Sequence, residues 1–169
     1  MKKIILLAAL IGVSFVQKTF AQDPETQSVQ KVITDYIKLK NALIKDSADT
    51  AKVTANTLGA DIKRVPMEKL SSSQHKIWME HYDALITGAA KIGSTVDINV
   101  QRKQFESLSS DLYKLLKGMK VNSVDLYYQY CPMVDAYWVS ENSKIQNPYY
   151  GKKMLACGST KETLTANKQ

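Results

Sequence analysis

The sequence predicts a mainly α protein, an antiparallel four-helix bundle carrying a small C-terminal extended or β cassette. Between residues 24 and 119, apolar side chains recur every three or four positions in four segments separated by short polar breaks. After Gly118 that period stops, and β-branched and aromatic residues take over. A chain of 169 residues, 44% hydrophobic and 23% charged, suits one globular domain with a core of its own.

Residues 1–21 stand apart from that domain. Met1-Lys2-Lys3 is a positive start, Ile4 to Val16 is apolar, and Thr19-Phe20-Ala21 places small residues at −3 and −1 of a cleavage site. This is the layout of a signal peptide, so the mature chain is expected to begin at Gln22, exported and most simply periplasmic. The apolar run is short for a membrane span, and no other segment approaches twenty apolar residues, so no transmembrane segment is expected in residues 22–169. The leader holds Lys2, Lys3 and Lys18 and no acid, so its loss lowers the formal charge from +7 to +4. The remaining basic residues are interleaved with acids and form no stripe, which argues against nucleic acid as a partner.

Within the helical part, 22–120, Asp23 is a cap and Pro24 a first helical residue, a position where a missing amide hydrogen costs nothing. Val29, Val32, Ile33, Tyr36, Ile37, Leu39, Leu43 and Ile44 then make one broad apolar face ending near Lys45. Asp46 or Ser47 caps a second helix whose stripe is Ala48, Ala51, Ala55, Leu58 and Ile62, with Gly59 placed to bend or end it. Val65-Pro66 and Ser71-Ser72-Ser73 interrupt the pattern. Trp78, Tyr82, Leu85, Ala89 and Ile92 form the third stripe, closed by Gly93-Ser94. Asp97 caps a fourth helix bearing Ile98, Phe105, Leu108, Leu112, Leu115, Leu116 and Met119, with Gly118 at its end. Met67, Met79 and Met119 read as packing groups. Arg102, among the apolar positions of the fourth helix, reads as a snorkelling surface arginine, an ion-pair member being the alternative. His75 and His81, six apart on one helix, point about 120° from each other and read as surface or packing residues.

The cassette, 121–159, holds both cysteines, two of the six methionines and six of the nine tyrosines. Val121, Val124, Leu126, Tyr128 and Tyr130 suggest extended chain, and Tyr137-Trp138-Val139 a second short strand. Pro132 disfavours helix at Cys131. Asn147-Pro148 and Gly151 mark a turn that sends Met154 to Gly158 back toward Cys131. Residues 160–169 read as a polar, frayed tail.

Two chemistries compete for the sulfurs. Cys131 and Met133 are two apart, so an extended chain would point both to one side. Met154 and Cys157 are three apart, which shares one side of a helical turn. Together they offer two thiolates and two thioethers, a set that suits Cu(I), with Tyr130, Trp138, Tyr149 and Tyr150 as an aromatic surround. In an oxidising compartment the same two cysteines suit a disulfide, worth about 3.5 kcal/mol for a loop of some 26 residues. Met133 and Met154 then pack on aromatic rings.

Larger patterns add to this. Tyr127-x-x-Tyr130-Cys131-Pro132-Met133, Trp138-x-Ser140, Ile145-x-Asn147-Pro148-Tyr149-Tyr150-Gly151 and Met154-Leu155-x-Cys157-Gly158 resemble an exported bacterial family of domains of unknown function. Gln101-Arg102-x-x-Phe105-x-x-Leu108-Ser109 and Tyr36-x-x-Leu39-Lys40-x-Ala42-Leu43 fit it too. Members of that family occur alone or at the C-terminal end of periplasmic adaptor subunits of heavy-metal efflux pumps. The resemblance therefore implies copper or related metal handling, with an efflux or envelope protein as partner. Cys-Pro-Met also resembles heavy-metal modules that continue His-Pro, but Val134 and Asp135 stand in those places here.

An enzyme is not expected. There is no Gly-x-Ser-x-Gly, no phosphate-cradling glycine loop, no His-Glu-x-x-His and no Cys-x-x-Cys-His, and the histidines sit in the helical part. The function expected is soft-metal handling, with a disulfide-stapled interaction module as the alternative.

Overall fold

The computed structural model describes residues 24–167, so the leader, the Asp23 cap and the last two residues lie outside the described part. Four helices follow in order: α1 (Pro24–Ile44), α2 (Ala48–Lys63), α3 (Ser72–Gly93) and α4 (Ile98–Met119). Three strands complete the chain: β1 (Leu126–Cys131), β2 (Ala136–Ser140) and β3 (Ser159–Leu164). The protein is thus mainly helical with a small antiparallel sheet at its C-terminal end.

Local chemistry explains most helix boundaries. Ser71 and Gln74 form a reciprocal capping box at the start of α3. Asp97 accepts from the amides of Asn99 and Val100 to begin α4. Ser47 precedes α2 without capping it through its side chain. Gly59 does not end α2, which continues to Lys63. It faces α3, where an added Cβ would meet Ala89 Cβ at 3.6 Å, an ordinary packing distance. Helix α4 runs past Gly118 and stops at Lys120, which adopts the left-handed conformation (φ 53°).

Cross-helix pairs join consecutive helices. Lys31 of α1 meets Asp61 of α2, Asn56 of α2 meets Gly93 of α3, and His81 of α3 meets Asp111 of α4. Between α1 and α4, Tyr36 stacks on Phe105 (5.2 Å) and hydrogen-bonds Ser109 (2.7 Å). The apolar stripes all face this interior: Leu39, Leu43, Ala55, Trp78, Leu85, Ile92, Phe105 and Leu115 are buried.

The sheet has order β2-β1-β3, every pair antiparallel. The sheet is not set apart from the helices. Leu126, Val139, Trp138 and Cys131 join the same continuous core as the helices. The Tyr36 hydroxyl, besides bonding Ser109, accepts from the Val139 amide (3.1 Å), so one phenol links α1, α4 and β2. Lys40 of α1 is fully buried and reaches Ser140 and Glu141 at the end of β2. Tyr113 of α4 stacks on Tyr128 (3.5 Å), which stacks on Tyr137 (4.8 Å).

The expectation of a frayed tail fails at its start: residues 160–164 belong to the edge strand β3, whose register with β1 shifts between Tyr128 and Gln129. Ser-Thr-Lys-Glu-Thr-Leu shows almost no apolar signal because β3 is largely exposed and is held by main-chain hydrogen bonds to β1.

Arg102 also differs from its reading as a surface side chain. Its side chain is 12% exposed, and the guanidinium donates to Pro148 O (2.8 Å), Leu43 O (3.0 Å) and Asp46 (2.6 Å). It joins α4, the end of α1 and the loop after β2. Asp46 stands at φ 59° and Gly151 at φ 56°, and a Cβ on Gly151 would collide with the Asp46 carboxylate and the Arg102 guanidinium.

Candidate thiol site

Strand alternation puts Tyr127, Gln129 and Cys131 of β1 on one face with Ser140, Trp138 and Ala136 of β2. The loop 141–158 folds across that face. Gln129 anchors it by donating its amide hydrogens to Asn142 O (2.9 Å) and Ser143 O (3.3 Å). Asn147, fully buried, is the loop's internal hub. Its backbone amide donates to Leu155 O, its side-chain amide to Cys157 O (2.8 Å), and its side-chain oxygen accepts from the Tyr149 amide (2.8 Å). Those bonds fold residues 155–157 back beside 147 and so deliver Cys157 to the end of β1. Asn147-Pro148 is legible in sequence as a turn, but nothing in spacing marks Asn147 as the residue that closes the loop.

The two cysteines meet. Cys131 is fully buried at the end of β1, Cys157 is half-buried just before β3, and the two thiols are near enough to influence each other's ionisation. Both are free thiols. Partial burial, then the neighbouring Cys131 sulfur, push the Cys157 thiol above its ordinary value, so this sulfur is protonated at neutral pH. Gly158 follows in a left-handed conformation (φ 144°). A Cβ there would lie 2.7 Å from Tyr130 O and 2.9 Å from Trp138 Cη2.

The thioethers are placed differently. Met154 and Cys157 bracket a turn closed by Cys157 N–H to Met154 O (3.1 Å), with Met154 outside helical conformation (φ −145°, ψ 55°) and 37% exposed. Met133 lies in the turn between β1 and β2, not in extended chain, and is 61% exposed. The extended geometry expected for Cys131 and Met133 therefore ends at Cys131.

The aromatic surround divides between the two sheet faces. Trp138 is fully buried on the cysteine face, with Tyr149 edge-on to it at 6.0 Å. Tyr149 also reaches Phe105 (6.0 Å) and donates its hydroxyl to Tyr137 O, so it joins the cassette to the helical core. Tyr130 points to the other face, where it meets Tyr137 (4.6 Å), donates to Asp135 (2.8 Å) and lies under the Lys161 ammonium (5.2 Å). Tyr150 is half-buried against the core. The histidines stay in α3: His81 is buried beside Asp111 and His75 is exposed. Among the described residues, no three His, Cys, Asp or Glu side chains gather as a metal-binding group. No described helix is long and apolar enough to cross a membrane.

Comparison with known proteins returns one family model, described as "Protein of unknown function (DUF3347)", which matches residues 32–124. The match runs from within α1 to just before β1, so both cysteines lie beyond it. No curated protein and no solved structure matches the chain.

Proposed function

The chain belongs to the DUF3347 family of proteins of unknown function, and from that premise we propose that it is an exported soft-metal-handling protein that takes Cu(I), or an ion like it, at Cys131 and Cys157. One observation carries this reading: two free thiols, 26 positions apart, meet at the junction of β1 and the covering loop. Sulfur is the donor that soft monovalent ions prefer. Cys131 offers a shielded donor, Cys157 a half-exposed one, and Met154 a surface thioether one turn away. Binding displaces the thiol protons, so affinity rises with pH. The wider proposal keeps the four helices as an antiparallel bundle, the cysteine cassette as the family's specific part, and a periplasmic role beside heavy-metal efflux. Supporting it are the leader-like residues 1–21 and the resemblance in Tyr-x-x-Tyr-Cys-Pro-Met and Met-Leu-x-Cys-Gly.

The test is anaerobic titration of the reduced protein with Cu(I) against a competing chelator. The expected result is one ion per chain, lost in Cys131→Ser and weakened in Met154→Leu. Unchanged binding in both variants rejects the site.

The same proximity favours a second reading, a non-catalytic interaction module stapled by a Cys131–Cys157 disulfide. Exposed Met133, Met154 and Leu155 lie on the surface of the cassette and would form its contact surface toward an envelope or efflux partner. Intact mass before and after reduction and alkylation separates the two. An oxidised native pair, with no metal bound even after reduction, favours the module.

A further inference from the structure

Resting on the soft-metal reading, we propose that Trp138 is the positioning residue of the thiol site, its Nε1–H donating to a thiolate of the metal-loaded Cys131–Cys157 pair. The register places Trp138 opposite Gln129 and one diagonal step from Cys131, on the same sheet face. Aromatic side chains reach across such diagonals. The far edge of the indole, Cη2, is 2.9 Å from where a Gly158 Cβ would stand, and Gly158 follows Cys157. Since β1 is the central strand, a ring rooted on β2 that touches the start of β3 crosses the strand bearing Cys131. The ring therefore reaches across β1 toward the residue that follows Cys157.

The charge of the loaded site supplies the reason for the N–H. Two thiolates around a monovalent cation carry a net negative charge, and a buried anion requires hydrogen-bond donors. Trp138 Nε1 is buried and has no hydrogen-bond partner. The Gln129 amide nitrogen, the nearest alternative on this face, is held by Asn142 and Ser143, and its unpartnered Oε1 is an acceptor that would repel a thiolate. Trp78 Nε1 is also unpartnered, so an orphan indole N–H by itself marks nothing. Position separates the two: Trp78 lies in the helical core on α3, Trp138 on the face with Cys131. Outer donors of this kind orient metal ligands and typically govern affinity about 10- to 100-fold.

The probe is Ag(I), a diamagnetic stand-in for Cu(I), added to reduced ¹⁵N-labelled protein, with the indole cross-peaks assigned through Trp78→Phe. On loading, the Trp138 cross-peak is expected to shift and its hydrogen exchange to slow, while the Trp78 peak stays still. Trp138→Phe retains an aromatic ring without the N–H and is expected to weaken Ag(I) binding about tenfold or more, with two titratable thiols still present. Cys131-dependent binding with an unmoved Trp138 peak, or with Trp138→Phe equal to wild type, overturns this inference alone. Absence of Cys131-dependent binding in the wild type overturns it together with the soft-metal reading.

Discussion

Arg102→Leu is expected to destabilise the protein by about 3 kcal/mol, because the guanidinium holds three separate parts of the chain together. Two of its hydrogen bonds go to the carbonyls of Leu43 and Pro148, residues that are themselves buried. Bonds from charged donors are worth about 1.5–3 kcal/mol each, but two made by one group are not additive. The third partner, Asp46, is 35% exposed, so this pair adds at most about 1 kcal/mol. The leucine recovers part of the loss by burying its own methyls. The assay is urea unfolding at neutral pH for wild type, Arg102→Leu, Arg102→Lys and Asp46→Asn. Lysine lacks the planar fork and is expected to recover less than half of the loss. Asp46→Asn should cost about 1 kcal/mol or less. The Arg102 guanidinium also holds the Asp46 carboxyl below its usual range. A depressed carboxyl contributes stability above its unfolded pKa of 3.8 and loses it as pH falls through the folded value. That acid-side loss should be smaller in Arg102→Leu than in wild type. A loss under about 0.5 kcal/mol in Arg102→Leu would refute the reasoning and return Arg102 to the solvated surface.

Three further outcomes are expected. Glu141→Gln should cost about 3 kcal/mol, since it leaves the fully buried Lys40 ammonium without its counter-ion, whereas Lys40→Met should stay within about 1 kcal/mol because Glu141 is 39% exposed and can be hydrated. Burial holds the Lys40 pKa below 10.5, so wild-type stability, relative to Lys40→Met, should rise as pH climbs from the folded value toward 10.5; urea midpoints across that window check the sign. Gly158→Ala places a Cβ against Tyr130 O and the Trp138 ring in a backbone region that suits glycine, and should cost about 1–3 kcal/mol in thermal unfolding while exposing Cys131 to alkylation. In the reduced native protein, alkylation followed by mass spectrometry should label Cys157 before Cys131, with a rate that climbs as pH approaches the raised Cys157 pKa and equal labelling only after unfolding.

Residues that act through short-range chemistry are legible in the chain itself. The Ser71–Gln74 capping box, the Asp97 cap and the step of Trp78, Tyr82, Leu85, Ala89 and Ile92 depend on neighbours within a turn or two, so their pattern locates α3 and α4. Gly59 misleads for the converse reason. A glycine within a helix also serves close packing, and only the neighbouring helix reveals that Gly59 faces Ala89. The candidate site divides in the same way. Local spacing foresees that Met154 and Cys157 share a turn, though not a helical one, and it misplaces Met133, because the chain reverses directly after Cys131.

By itself, then, the sequence determined four amphipathic helices, the loss of helical period after α4, and the concentration of sulfur and aromatic groups in the cassette. Periodicity and capping are properties of contiguous residues, so these features belong to the chain before any tertiary contact forms. Tertiary structure alone decided that Ser159–Leu164 pairs with β1, that Arg102 is clamped by Leu43, Asp46 and Pro148, and that Asn147 folds Cys157 onto Cys131. Each of these joins groups separated by 10 to 59 positions through backbone carbonyls, amides or carboxylates. Such atoms are common to much of the chain, so no residue type announces which of them will meet.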